Sequence, residues 1–128
     1  KILSKLILLM KILIFGAYGL LGSYLTKYLS KKHKIIKVGR KSKAQITLNN
    51  FNKKNIYNVL KNYTPDCVIN LIALTDVDKC EKNKRLCFNT NSKITEQIVK
   101  AIDKFKSKKI FFLFKFHQIK FILGKALI

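Results

Sequence analysis

Ile12-Leu13-Ile14-Phe15-Gly16-Ala17-Tyr18-Gly19-Leu20-Leu21-Gly22 is the stretch on which the fold turns. An apolar run comes first, then glycines at intervals of three, then a helix-patterned segment. That order predicts strand, turn and helix. Gly16 ends the strand and permits a tight turn at φ values that other residues avoid. Gly19 lets the backbone approach a phosphate closely, and Gly22 lets the helix pack on the strand. The helix N-terminus then offers N–H groups and the positive end of its dipole to the anion. Leu21, Tyr24, Leu25, Tyr28 and Leu29 carry the helical spacing onward, and Ser30-Lys31-Lys32-His33-Lys34 ends the helix in water. The strand before and helix after separate a dinucleotide-binding turn from an ordinary glycine-rich loop.

Ile35-Ile36-Lys37-Val38 reads as a second strand. Its end selects the cofactor. An acidic residue about twenty positions past the glycines would bond the ribose 2′-OH of NAD. Here Gly39-Arg40-Lys41-Ser42-Lys43 follows instead. Arg40 offers a planar charged fork and Lys41 a point charge, both suited to a 2′-phosphate. NADP(H) is therefore the expected cofactor, with NAD as the alternative.

With 128 residues, the chain is at most one domain and short for a two-part dehydrogenase. Its 27 basic and 6 acidic residues give a net charge of +21, a balance that often signals nucleic acid or an anionic surface. The cations are almost all lysine and evenly spread. No zinc-finger spacing, aromatic platform or arginine-rich block accompanies them, so no specific nucleic-acid partner is expected. Cys67, Cys80 and Cys87 are odd in number and irregularly spaced, which predicts neither a metal site nor a disulfide framework. Cys67 reads as a small core residue in a reducing, cytoplasmic setting. Apolar runs near the N-terminus are broken by Lys5 and Lys11, and none approaches the ~18 residues of a membrane span. Met10 is the sole methionine, and residues 1–9 are read as an upstream extension.

Asn49 to Asn62 carries a short helical pattern through Ile56, Val59 and Leu60, with Asn52 as N-cap. Cys67-Val68-Ile69-Asn70-Leu71-Ile72-Ala73 is nearly continuously apolar, as in a parallel strand buried on both faces. Ile94, Ile98, Ala101, Ile102 and Phe105 form a helical stripe after Asn91. Ile110-Phe111-Phe112-Leu113-Phe114 reads as the next strand. The fold class is thus α/β, a Rossmann-type doubly wound parallel sheet that stops after about four strands.

The segment Asp66-Cys67-Val68-Ile69-Asn70-Leu71-Ile72-Ala73-Leu74-Thr75-Asp76-Val77-Asp78-Lys79-Cys80-Glu81 resembles a characteristic stretch of the dTDP-4-dehydrorhamnose reductase family. These are extended short-chain dehydrogenase/reductases acting on nucleotide sugars. The glycine spacing matches that superfamily, and Asn91 falls where the family opens its next long helix. The likeness runs from about Met10 to Lys109. It implies that Gly16, Tyr18, Gly19, Leu20 and Leu21 contact the phosphates and nicotinamide side of NADP(H). Arg40 would meet the 2′-phosphate, while Ala73 and Thr75 would line the nicotinamide-ribose pocket. Together with Gly22 and Lys41, these residues form the expected cofactor-binding set. Asn70 has two readings, a functional group or a buried side chain bonding the backbone. Asp78 and Glu81 read as acids at a helix N-terminus. Asn49 stands where the family often has an Asp near the adenine.

Family members reduce a ketone with a tyrosine proton donor, a lysine four residues later, and a Ser or Thr nearby. Tyr28–Lys32 and Tyr57–Lys61 match the spacing but lie on the wrong helices, so no catalytic residue is assigned. Residues 10–114 are expected to be a partial NAD(P)-binding domain. Residues 115–128 form an atypical tail without Ser, Thr or Tyr. The expectation is a reading-frame shift near Phe112, leaving a cofactor-binding fragment whose exposed strand edge favours aggregation. The nucleotide-sugar substrate would belong to the complete protein, and the sequence leaves the oligomeric state open. The competing reading is a non-catalytic NADP(H)-binding module like the regulatory subunit of methionine adenosyltransferase.

Overall fold

Lys11–Phe15 forms β1, the central strand of a parallel sheet. The computed structural model describes residues 9–74, 76–105 and 111–114. In chain order the further elements are α1 (Leu20–Leu29), β2 (Lys34–Gly39), β3 (Ile46–Thr47), α2 (Lys53–Tyr63) and β4 (Cys67–Asn70). Then come α3 (Val77–Lys82), α4 (Lys84–Phe88), a π-helical turn (Asn89–Lys93), α5 (Ile94–Asp103) and β5 (Phe111–Phe114). The sheet order is β3-β2-β1-β4-β5, with every pairing parallel. The chain winds outward from β1 to β3, then crosses back to β4 on the other side. The strand order therefore reverses between β1 and β4, where open α/β sheets place their ligand crevice.

Side chains alternate across the sheet and divide the core in two. Leu13, Phe15, Ile36, Val38 and Val68 face α2 and α5, meeting Ile56, Val59, Leu60, Ile98 and Ala101. Ile12, Ile14, Cys67 and Ile69 face the opposite way and meet Leu25 and Leu29 of α1. Register places Leu13 between Ile36 and Val68, and Phe15 between Val38 and Asn70. Asn52 caps α2, its side chain accepting from the Asn55 amide at 2.8 Å.

The lower edge of the sheet is fastened by Lys11. Its amide donates to Asp66 Oδ2 at 2.8 Å, and its Nζ donates to Thr64 Oγ1 at 2.8 Å. Thr64 closes α2 in the left-handed region at φ 43.

Several expectations are corrected. The sheet gains β3, a strand of two residues that was not foreseen. β4 ends at Asn70, short of the expected Ala73, although the Leu71 amide still donates to the Phe15 carbonyl at 2.9 Å. α1 begins at Leu20 and takes Gly22 into its first turn. Of its expected apolar stripe, only Leu25 and Leu29 pack inward, whereas Leu21, Tyr24 and Tyr28 are exposed. Asn91 precedes α5, as expected, but lies inside the π-helical turn, so helical backbone already runs from Lys84. Cys80 and Cys87 are joined in a disulfide, against the expectation of unpaired thiols. Their α3–α4 corner brings the two Cα atoms to 5.1 Å, within the range a disulfide spans. The upstream extension up to Ser4-Lys5-Leu6-Ile7-Leu8, Thr75, and the tail 115–128 lie outside the described residues, apart from Leu9, which is exposed.

Candidate nucleotide-cofactor site

The glycine turn is built by what it lacks. Gly16 sits at φ +76, and a Cβ there would lie 3.0 Å from the Ile72 nitrogen and the Leu71 carbonyl carbon. The segments that follow β1 and β4 can touch only without that carbon. At Gly22 a Cβ would fall 2.1 Å from the Gly16 carbonyl oxygen and 2.8 Å from the Ala17 Cα. α1 therefore rests directly on the turn. Gly19 differs: its nearest neighbour to a Cβ is the Gly16 oxygen at 3.5 Å, so its open side faces free space. Gly19 is also the N-cap of α1, with no side-chain cap and no acid in the first turn. By contrast, Asn52, Asp76 and Asn83 cap α2, α3 and α4 with their side chains. A helix start left uncapped beside a cavity suits an anion.

That cavity, of about 510 Å³, lies over the ends of β1, β2 and β4. Gly16, Tyr18, Gly19, Arg40, Lys41 and Ala73 all line it. Among the described residues, Leu20, Leu21 and Gly22 do not: Leu20 is 95% exposed on the outer side of α1, and Gly22 is buried under the turn. Thr75 lies outside the described residues. Sequence reading missed Gly39, Lys43, Ala44, Phe51, Leu71, Ile72, Leu74, Leu86 and Thr90, which complete the lining. Gly39 and Lys43 left a signal in the stretch around Arg40, and Leu71 and Ile72 in the end of the apolar run before Ala73. None of the described lining residues is acidic, while Arg40, Lys41 and Lys43 are cationic.

Arg40 is propped from below. Its guanidinium carbon stands 5.2 Å from the centre of the Phe51 ring, and Phe51 meets Phe15 of β1 edge-on at 6.1 Å. Arg40 also borders a second cavity of about 450 Å³, with Asn49, Asn52 and Lys93 in its wall. The loop after β2 is held by backbone bonds from Ala44 to Lys41 and from Leu48 to Gly39, both 2.9 Å. Tyr18 reaches across to the same loop, its hydroxyl oxygen accepting from the Gln45 amide at 2.6 Å.

The opposite wall relies on asparagines. Asn70 is fully buried at the end of β4; its Oδ1 accepts from the Ile72 amide at 3.0 Å and its Nδ2 donates to Thr95 Oγ1 at 3.0 Å. Of its two readings, the structure selects the buried strut. Asn91 grips Leu74 twice, accepting from its amide at 2.6 Å and donating to its carbonyl at 3.0 Å. Its Nδ2 also lies 3.3 Å from Cys87 Sγ, so the disulfide backs this clamp. Asp78 lies in the first turn of α3, and Asp76 is that helix's cap.

Neither Tyr28 nor Tyr57 lines the cavity. Tyr28 is exposed on α1, and Tyr57 stacks on Phe105 at 5.0 Å. Among the described residues, no cluster of three or more His, Cys, Asp or Glu could hold a metal, and no helix is long and apolar enough to cross a membrane.

Strand order, glycine turn and crevice define a Rossmann-type nucleotide-binding unit. Residues 10–112 match the family model described as the RmlD substrate binding domain. The chain belongs to the dTDP-4-dehydrorhamnose reductase family. It is 35% identical to a hypothetical dTDP-4-dehydrorhamnose reductase of Sulfolobus tokodaii (TM-score 0.68), over 80% of this chain and 38% of that one. It is 30% identical to a dTDP-4-dehydrorhamnose reductase of Clostridium acetobutylicum (TM-score 0.65), over 79% of this chain and 34% of that one. The Bacillus anthracis enzyme of the same description, crystallised in complex with NADP, shares the fold at 24% identity (TM-score 0.65), over 79% of this chain and 34% of that one. The chain thus spans well under half the length of these relatives.

Proposed function

We propose that this chain supplies the NADP(H)-binding part of a reductase acting on a 4-keto nucleotide sugar. The observation that carries this reading is the cavity's division of labour. A glycine turn and an uncapped helix start form one side, and three cations without an acid form another. The open side of Gly19 fits a close phosphate, and Arg40, propped on Phe51, fits a second one on the ribose. The NADP complex of the Bacillus anthracis relative supports the same assignment. The bound dinucleotide would supply a hydride for the ketone carbon.

The described residues bind and orient; among those lining the cavity, we assign none the proton that the ketone oxygen needs. Tyr18, the one tyrosine among the described lining residues, turns its hydroxyl to the loop after β2, where its oxygen accepts from the Gln45 amide. Chemistry on the sugar is therefore assigned to residues outside the described ones. The same observation favours a second reading, a non-catalytic NADP(H)-binding module.

Titration of the chain with NADPH and with NADH, followed by nucleotide fluorescence, tests the proposal. NADPH is expected to bind more tightly. Equal affinities would remove the 2′-phosphate assignment, and binding of neither would remove the cofactor site. Restoration of ketone reduction by added C-terminal portions of a relative would favour the reductase over the module.

A further inference from the structure

We propose that Tyr18 is a positioning residue that latches the basic loop after β2 and thereby sets the preference for a 2′-phosphate. The inference rests on the NADP(H) reading above and deepens it.

Tyr18 lies in the glycine turn, yet its side chain leaves that turn. The ring lies against Gly39 so closely that a Cβ there would sit 2.7 Å from Tyr18 Cδ2. Gly39 is the last residue of β2, directly before Arg40. The hydroxyl oxygen then accepts the Gln45 amide at 2.6 Å, across 27 residues of sequence. Gln45 is itself tied back to β2, its Oε1 accepting from the Lys37 amide at 3.0 Å. Lys37 Nζ stands 5.4 Å from the centre of the Tyr18 ring. Both ends of the segment that carries Arg40, Lys41 and Lys43 are thus fixed to one side chain. Its glycine end is covered by the ring and its Gln45 end is held by the hydroxyl.

Tyr18 is 44% exposed, so core packing does not require it. The latch joins the turn that takes the pyrophosphate to the loop that takes the 2′-phosphate. Any movement of the loop relative to the turn changes the spacing between two phosphate subsites. A 2′-hydroxyl ligand, which uses only the first subsite, is indifferent to that spacing. This separates a latch from a direct pyrophosphate contact, which would serve both cofactors alike.

The test uses the 128-residue chain and its Tyr18→Phe variant, which keeps the ring and removes the acceptor. NADPH affinity is expected to fall about tenfold, and NADH affinity to change less than about twofold. Equal losses for the two cofactors would overturn the latch in favour of a pyrophosphate contact, and unchanged affinities would overturn it outright. Amide hydrogen exchange without cofactor gives an independent readout. The Gln45 amide is expected to lose protection in Tyr18→Phe while the Leu13 and Val68 amides keep theirs. Unchanged Gln45 exchange would overturn the latch even if the affinities moved. If the unaltered chain does not prefer NADPH, the cofactor reading fails, while the Gln45 exchange still decides whether Tyr18 holds the loop.

Discussion

The two walls of the cavity are built by opposite means. The glycine turn holds its shape because atoms are missing; the wall from Leu71 to Asn91 holds its shape because side chains reach across sequence to grip backbone. The first is mostly a local device: Gly22 packs within the turn, and only Gly16 answers to a distant segment, Leu71-Ile72. The second needs Asn70 to meet Thr95, Asn91 to meet Leu74, and Cys80 to meet Cys87. A steric wall fails abruptly when an atom is added, while a hydrogen-bonded wall loses strength one bond at a time.

The largest effect is expected at Gly22. Gly22→Ala puts a carbon onto the Gly16 carbonyl, where only backbone could move aside. Urea denaturation should show a loss of about 3 kcal/mol or more. Gly19→Ala, whose added carbon meets nothing closer than 3.5 Å, should cost no more than about 1 kcal/mol and reveal itself in weaker cofactor binding. If both variants lost equal stability, the glycine wall would not be steric in the sense described.

The opposite wall should give way more gently. Asn91→Ala removes both bonds to Leu74 and is expected to cost about 2–3 kcal/mol by the same measurement. An unchanged midpoint would mean that the wall stands without its clamp. Opening the disulfide with a reductant releases a loop closed at a sequence separation of 7, and should cost about 2 kcal/mol. A Cys80→Ser variant insensitive to reductant, against a sensitive parent, would sharpen the assignment.

A pH-dependent effect belongs to neither wall but to the sheet beneath both. Burial, with a lesser push from the Asp66 carboxylate, raises the Cys67 thiol from 9.0 to about 11. Between those values the unfolded chain sheds a proton that the folded chain keeps. The stability this thiol contributes is complete below pH 9 and lost as the pH rises towards 11. A thermal-melt series over that range should fall and should flatten in Cys67→Ala. Native Cys67 should also resist alkylation at neutral pH.

Legibility in the sequence follows the same division. β1, β2 and α2 were readable because each carries its own period or cap, and Asn52 took the capping role its position suggested. The stripe through Ile98 and Ala101 was readable for the same reason. β3 was not, since two residues hold no period. The stripe on α1 was read too wide: only Leu25 and Leu29 meet the sheet, while Leu21, Tyr24 and Tyr28 stay exposed. The disulfide and the Asn91 clamp depend on how the segment after β4 folds back, and nothing in their spacing says that these partners meet. The basic side of the site was visible in Arg40 and Lys41. The way Tyr18 holds their loop was not, because it joins residues 27 apart.

The place of β1 in the sheet has a consequence in time. It is the first described strand to leave the ribosome, and it is the strand that needs the most company. Its β2 neighbour follows soon, but the Lys11–Asp66 contact that brings β4 alongside spans 55 residues. At ordinary synthesis rates that gap lasts roughly 3 to 11 s. For those seconds Lys11-Ile12-Leu13-Ile14-Phe15 waits with the flank that β4 will cover still open, its backbone groups bonded to water in place of a strand not yet made.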